Sequence, residues 1–176
     1  MNRIPLKAIL FALVGLVAVG ALVTKSPTPT ATGSANAHSG ACNGSGVTLV
    51  IDFGDQNKPT QIFCVDKFLG TSWQLFKATG VLVEGTAEYP ESFVCRIQGV
   101  PSINAEDCLG TPDFASGTWV YYVASTQNPL NDWTRSGAGA AMRKPNCGDY
   151  EGWRFVRGFA EASNPPRFKA APFRCE

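Results

Sequence analysis

Histidine-dependent chemistry has almost nothing to work with in this chain, because His38 is the only imidazole and it stands before the residues that pattern as a folded domain. A Ser-His or Cys-His nucleophile needs its base within hydrogen-bond reach, so none can be assembled inside that domain. Carboxylates occur in pairs, Glu106 with Asp107 and Asp149 with Glu151, and a pair can in principle divide acid and base work on a glycoside. Beside Gly, Pro and Asn, however, they read as solvated turn residues. Gly137-Ala-Gly-Ala-Ala141 lacks the third glycine and the strand-loop-helix setting of a dinucleotide loop, and reads as a close-packed backbone segment. No enzyme activity and no cofactor is expected.

Binding is the chemistry that the residue types favour. Trp119, Tyr121, Tyr122, Trp133, Tyr150 and Trp153 crowd into the last third of the chain, with Arg135, Arg143 and Arg154 between them. Aromatic rings give apolar contact and guanidinium groups pair with carboxylates, so an exposed cluster of this kind suits a flat or acidic small molecule. Trp119, Tyr121, Trp133, Arg135, Trp153 and Arg154 are the candidate ligand-binding residues. On a strand Trp119 and Tyr121 share one face and Tyr122 takes the other. One set is expected to face out.

Six cysteines, Cys42, Cys64, Cys95, Cys108, Cys147 and Cys175, all follow an N-terminal export-type segment. An even count in an exported chain predicts three disulfides in an oxidising compartment, with 15 connectivities open. The one pairing that spacing suggests is Cys95 with Cys108, across a short Gly/Pro loop. Cysteines this far apart do not make a zinc knuckle, and no metal site is expected.

The export segment is Met1-Asn-Arg-Ile-Pro-Leu-Lys7 followed by an uncharged apolar run, Ala8 to Val23. Its length lies between a signal core of about 7 to 15 residues and a spanning helix of about 20, so residues 1–24 fit a cleaved signal peptide or a retained anchor. Residues 25–45, rich in Pro, Thr, Ser and Gly, read as a flexible tether. Ala35-Asn36-Ala37 fits a cleavage site, and Cys42 lacks the aliphatic neighbour of a lipoprotein site. Without Arg3, Lys7 and Lys25, 12 basic residues face 14 acidic ones, a net −2. That leaves no basic footprint for nucleic acid.

The elements that must position the candidate residues are predicted between 46 and 160. Val47–Phe53 and Gln61–Val65 pattern as a strand hairpin. Thr71 or Ser72 can cap a short helix that Gly80 ends. Strands follow over 81–84, 92–97, 117–124 and 152–156, and residues 161–176 form an irregular tail pinned at Cys175. One helix against one mixed or antiparallel sheet is an α+β layer, β-grasp-like in its order.

Gly46-Val-Thr-Leu-Val-Ile-Asp-Phe-Gly54, Phe93-Val-Cys-Arg-Ile-Gln-Gly-Val-Pro101, and Gly117-Thr-Trp-Val-Tyr-Tyr122 running through Trp133-Thr-Arg-Ser-Gly-Ala138 to Glu151-Gly-Trp-Arg-Phe155 together resemble actinobacterial secreted proteins of unknown function related to the transcobalamin C-terminal-like β-grasp domain. The resemblance implies a non-catalytic binding or accessory module outside the membrane, with a vitamin or metal uptake transporter as partner. The alternative is an extracytoplasmic protein-interaction or envelope-structural domain. The acidic turn of that family corresponds here to Cys147-Gly-Asp-Tyr-Glu151, with a cysteine added just before it.

Overall fold

The computed structural model describes residues 34, 36–125, 132–171 and 173–176. The export segment and residues 25–33 and 35 of the tether lie outside the described residues. The elements run β1 (Ala37–Ser39), β2 (Val47–Asp52), β3 (Gln61–Val65), α1 (Ser72–Thr79), β4 (Val83–Gly85), β5 (Val94–Ile97), β6 (Thr118–Ser125), β7 (Thr134–Arg135), β8 (Asp149–Val156) and a 3₁₀ turn at Phe159–Ser163. Among the described residues no helix is long and apolar enough to cross a membrane.

A mixed six-stranded sheet is ordered β1-β3-β2-β8-β6-β7, and β4 and β5 form a separate ribbon. The β2–β3 hairpin, β8–β6 and β6–β7 are antiparallel, whereas β2 and β8 run parallel. Two flanking strands explain why Val-Thr-Leu-Val-Ile-Asp is buried at every position. A central strand covered on both faces reads as a continuous apolar run, not an alternating one.

Helix α1 forms where its end signals predict. Thr71 and Gln74 make a reciprocal capping box, and Gly80 closes the helix in the left-handed region at φ 72°. Both devices satisfy main-chain groups that a helix end leaves unpaired. Leu75 and Phe76 point into the main core with Leu49, Ile51, Trp119, Trp153 and Phe155. Phe76 lies 5.5 Å from the Trp153 ring centre, and Trp119 meets Phe53 and Phe155 edge-on.

The opposite face of the sheet is covered as well. Val120, Tyr122 and Val156 pack with Ala162, while Tyr150 and Ala124 pack with Ala170, Phe168 and Phe173. Three aromatic donors fasten this layer: Tyr122 Oη to Ala162 O at 2.6 Å, Trp133 Nε1 to Phe168 O at 2.7 Å, and Tyr150 Oη to Ala171 O at 2.7 Å. Neither aromatic set of β6 therefore faces solvent, since Trp119 is 4% and Tyr122 2% exposed. The tail is irregular, yet it serves as the third layer of the domain.

Gly152 shows how tightly that layer sits. A Cβ there would lie 2.6 Å from the Trp133 ring and 2.9 Å from Pro166 Cγ. Gly152→Ala is expected to cost about 1–3 kcal/mol, as overpacking a close-fitted site does, read by urea denaturation of the oxidised protein. An unchanged midpoint would show that the tail rides loosely.

Disulfides join Cys42 to Cys64, Cys95 to Cys108 and Cys147 to Cys175, with no free cysteine. Three bridges fit an oxidising, extracytoplasmic environment. The first fastens residues read as tether: β1 pairs with β3, and Cys42 N donates to Thr48 Oγ1 at 3.0 Å. Small polar residues carry no strand signal of their own, and here the open edge of β3 supplies the pairing. Asp52, fully buried on β2, binds the tail through Arg167, whose Nη2 lies 2.6 Å from Oδ1, and also pairs with Arg154 at 3.0 Å.

Candidate functional site

Four of the six candidate binding residues, Trp119, Tyr121, Arg135 and Trp153, line a cleft of ≈470 Å³. That volume lies within the range of roughly 300–1,000 Å³ typical of small-molecule sites. Trp133 and Arg154 lie elsewhere. Trp133 covers the opposite face against Gly152 and the tail, and Arg154 is spent on Asp52 and Pro165 O.

The floor of the cleft is rigid. Tyr121 and Trp153 stack with ring centres 4.4 Å apart and planes 4° from parallel, since they face each other across the β6–β8 ladder. Trp119 Nε1 donates to Val100 O at 2.8 Å, which fixes the indole. Phe93 and Phe114 add apolar walls, and the far side is Gly137–Ala140. This small-residue segment was expected to be close-packed. Only Ala140 is; Gly137, Ala138 and Gly139 are exposed.

What holds that far wall is the start of α1. Trp73 N donates to Ala140 O at 3.0 Å and Ser72 N to Arg143 O at 2.9 Å. Helical N–H groups that lack intrahelical partners are thus satisfied by residues 140–143. Beneath this junction sits Glu151, 0% exposed. Its Oε2 accepts from Ser72 Oγ at 2.6 Å and from Tyr121 Oη, and Arg143 Nε donates to its Oε1 at 2.9 Å. Arg143 Nη2 also reaches Asp149 Oδ2 at 3.0 Å.

The expectation that Asp149 and Glu151 are solvated turn carboxylates is therefore wrong. They open the central strand β8, and the strand carries them into the core. Burial pushes the Glu151 carboxyl above its ordinary range, against the opposing pull of the Ser72 and Tyr121 hydroxyls and of Arg143. Burial and the adjacent carboxylate likewise drive the Tyr121 phenol far up, so it stays protonated and donates. A carboxylate with its oxygens occupied and no route to solvent is a strut. It fixes the Tyr121 ring in the cleft floor and ties α1 to the far wall.

No family model matches the chain, and no curated protein or solved structure matches it. The site must therefore be read from its own chemistry. No Asp or Glu lines the cleft, and its one charge is Arg135, exposed and without an ion-pair partner among the described residues. Thr118 Oγ1 and Trp153 Nε1, on residues each 4% exposed, have no hydrogen-bond partner among the described residues. Most buried polar atoms are paired, so these two are exceptions, and both lie beneath the cleft surface rather than open to it.

A hollow of equal size lies between Trp133 and the tail at Pro166 and Phe168. It is the seam under the C-terminal tail, which straps this face of the sheet. His38, Cys64 and Asp66 approach one another, but Cys64 is committed to its disulfide, which leaves the exposed His38 and the half-buried Asp66 3.6 Å apart.

Proposed function

We propose that this chain is an exported, non-enzymatic binding module that holds a ligand with an apolar body and an acidic group in the cleft beside β6. The observation that carries the reading is the cleft itself, with its stacked Tyr121–Trp153 floor, apolar walls, no lining carboxylate and the unpaired Arg135 at its rim. A cationic rim and rigid aromatic walls favour such a ligand by charge and by low ordering cost. A small cofactor-like molecule passed to an uptake transporter is the form that the transcobalamin-like resemblance implies. The connectivity supports a β-grasp-like assignment: a β2–β3 hairpin, then α1, with β8, the last strand, inserted centrally and parallel to β2. A second reading, a protein-interaction domain outside the membrane, is favoured by the open edge of β6 beside the same cleft.

Thermal-shift screening of the oxidised chain against small aromatic carboxylates, vitamins and their precursors tests the reading. Ligands are expected to raise the Tm of the parent protein and leave Gly137→Trp unmoved. Gly137 lines the cleft and a Cβ there meets nothing within 4 Å, so an indole can be added at the cleft wall without disturbing the fold. A broad panel with no stabilising compound, or equal stabilisation of Gly137→Trp, would refute it.

A further inference from the structure

Thr118, Trp119, Val120 and Tyr121, four consecutive residues of β6, all line the cleft. Side chains alternate across a strand, so a hollow on one face would meet only every second residue. Contact with all four places the cleft along the strand's edge.

That edge is open. β7 pairs only with Tyr122 and Val123, and beyond it the hydrogen bond from Ser136 N to Tyr121 O, 3.0 Å, is the last on this side. In an antiparallel ladder the outward-facing main-chain groups belong to alternate residues. Tyr121 faces outward, and so does Trp119, two residues earlier. After Ser136 the chain leaves the edge to build the far wall, so Trp119 has no ladder partner on that side in the sheet order, and the cleft lies there between β6, Phe93–Val94 and Gly137–Ala140. Proteins usually blunt a free edge with Lys, Pro or a bulge. Gly117-Thr-Trp-Val-Tyr121 contains neither Lys nor Pro, and its pairing with β8 runs without a bulge.

We propose that the occupant of this cleft is an extended peptide segment of another protein, adding a strand to β6 beside Trp119 and setting a carboxylate against Arg135. The inference rests on the cleft being the binding site and names what enters it. Main-chain pairing supplies affinity in strand addition, and pockets for alternate side chains supply selectivity. Here the pocket is formed by Phe93, Trp119 and Tyr121. The carboxylate comes from an acidic side chain or from a free C-terminus, and these sources are separable.

The test uses the full-length oxidised chain and an array of peptides alternating Val or Ile with Thr. Its members carry an internal Asp, a free C-terminal carboxylate, an amidated C-terminus, or no acid. Acidic members are expected to bind and amidated acid-free ones to bind about tenfold or more weakly, the worth of a charge-assisted hydrogen bond. Loss on amidation alone assigns the C-terminus; retention with Asp assigns the side chain. N-methylation at one main-chain nitrogen of the best peptide is expected to abolish binding, and the Trp119 amide to gain protection from hydrogen exchange in the complex. Arg135→Gln should weaken binding about tenfold, and Gly137→Trp should abolish it.

The proposal is overturned if no peptide binds, if every N-methylated peptide still binds, or if Trp119 exchange is unchanged. It also falls if light scattering shows an unliganded dimer that Gly137→Trp dissociates, because a second copy would then occupy the edge. If aromatic carboxylates bind in a Gly137→Trp-sensitive way and peptides do not, the peptide is wrong and the cleft stands. If neither binds, both readings fall.

Discussion

Arg143→Met is expected to destabilise the oxidised protein by about 3–5 kcal/mol near neutral pH, because it strands the Glu151 carboxylate in the core without its counter-charge. Glu151 is wholly buried, and Arg143 is its only basic partner among the described residues. The Ser72 and Tyr121 hydroxyls remain, but they carry no compensating charge. The sign of the pH dependence separates this cause from lost packing. Burial holds the Glu151 carboxyl above its ordinary value, and Arg143 draws it down. Removing Arg143 raises it further, so the folded variant takes up a proton more readily than the unfolded chain. A raised folded pKa means stability that is present at low pH and lost as pH rises through that value. The deficit of the variant should shrink as the solution is acidified from about pH 7 toward about pH 5, measured by urea denaturation. A deficit constant with pH would assign the loss to packing. Because Glu151 holds the Tyr121 ring, the variant should also bind ligand less well.

Asp52→Ala is expected to cost about 3 kcal/mol and to loosen the tail, since it leaves the largely buried Arg154 without its counter-charge and unclasps Arg167. Burial raises the Asp52 carboxyl, but hydrogen bonds from Arg167 and from Gly54 N, together with the Arg154 charge, more than offset that and hold it below its ordinary value. A depressed folded pKa contributes stability that is complete above the unfolded value, about 3.9, and disappears as pH falls through the folded one. The parent protein should therefore lose stability in acid below about pH 4, with a component absent from Asp52→Ala. Amide hydrogen exchange at residues 167–171 should quicken in the variant, while the Cys147–Cys175 bridge keeps the chain end attached. Unchanged exchange there would mean that the aromatic pins alone fix the strap.

What was legible in the sequence was local. The hairpin of β2 and β3, the Thr71 cap, the Gly80 stop and the Cys95–Cys108 bridge follow from neighbours within a few residues or one short loop. The alternation of Trp119 and Tyr121 against Tyr122 is likewise a property of a single strand. The rest depends on partners far away in the chain. Glu151 sits in a Gly-Asp-Tyr-Glu-Gly stretch that reads as a turn, and its place in a central strand depends on pairing with β2 and on Ser72, 79 residues distant. Asp52 meets Arg167 across 115 residues, and nothing in the Pro-rich tail announces a layer that covers a sheet. Trp133 and Arg154 were grouped with the cleft residues by proximity in sequence, but the sheet divides them between its two faces. The cleft was invisible for a simpler reason. It exists because β7 is two residues long and stops at Arg135, and strand length at an edge is set by where the next segment docks, here on the first turn of α1.

The most direct test of the binding cleft is amide NMR of the oxidised, ¹⁵N-labelled protein titrated with an acidic extended peptide and, separately, with a small aromatic carboxylate. Saturable shifts centred on Thr118–Tyr121 and Ser136–Ala140 by at least one of the two, absent in Gly137→Trp, are the expected result. Shifts confined to the tail side around Trp133 and Phe168, or no saturable shift with either probe, would contradict it.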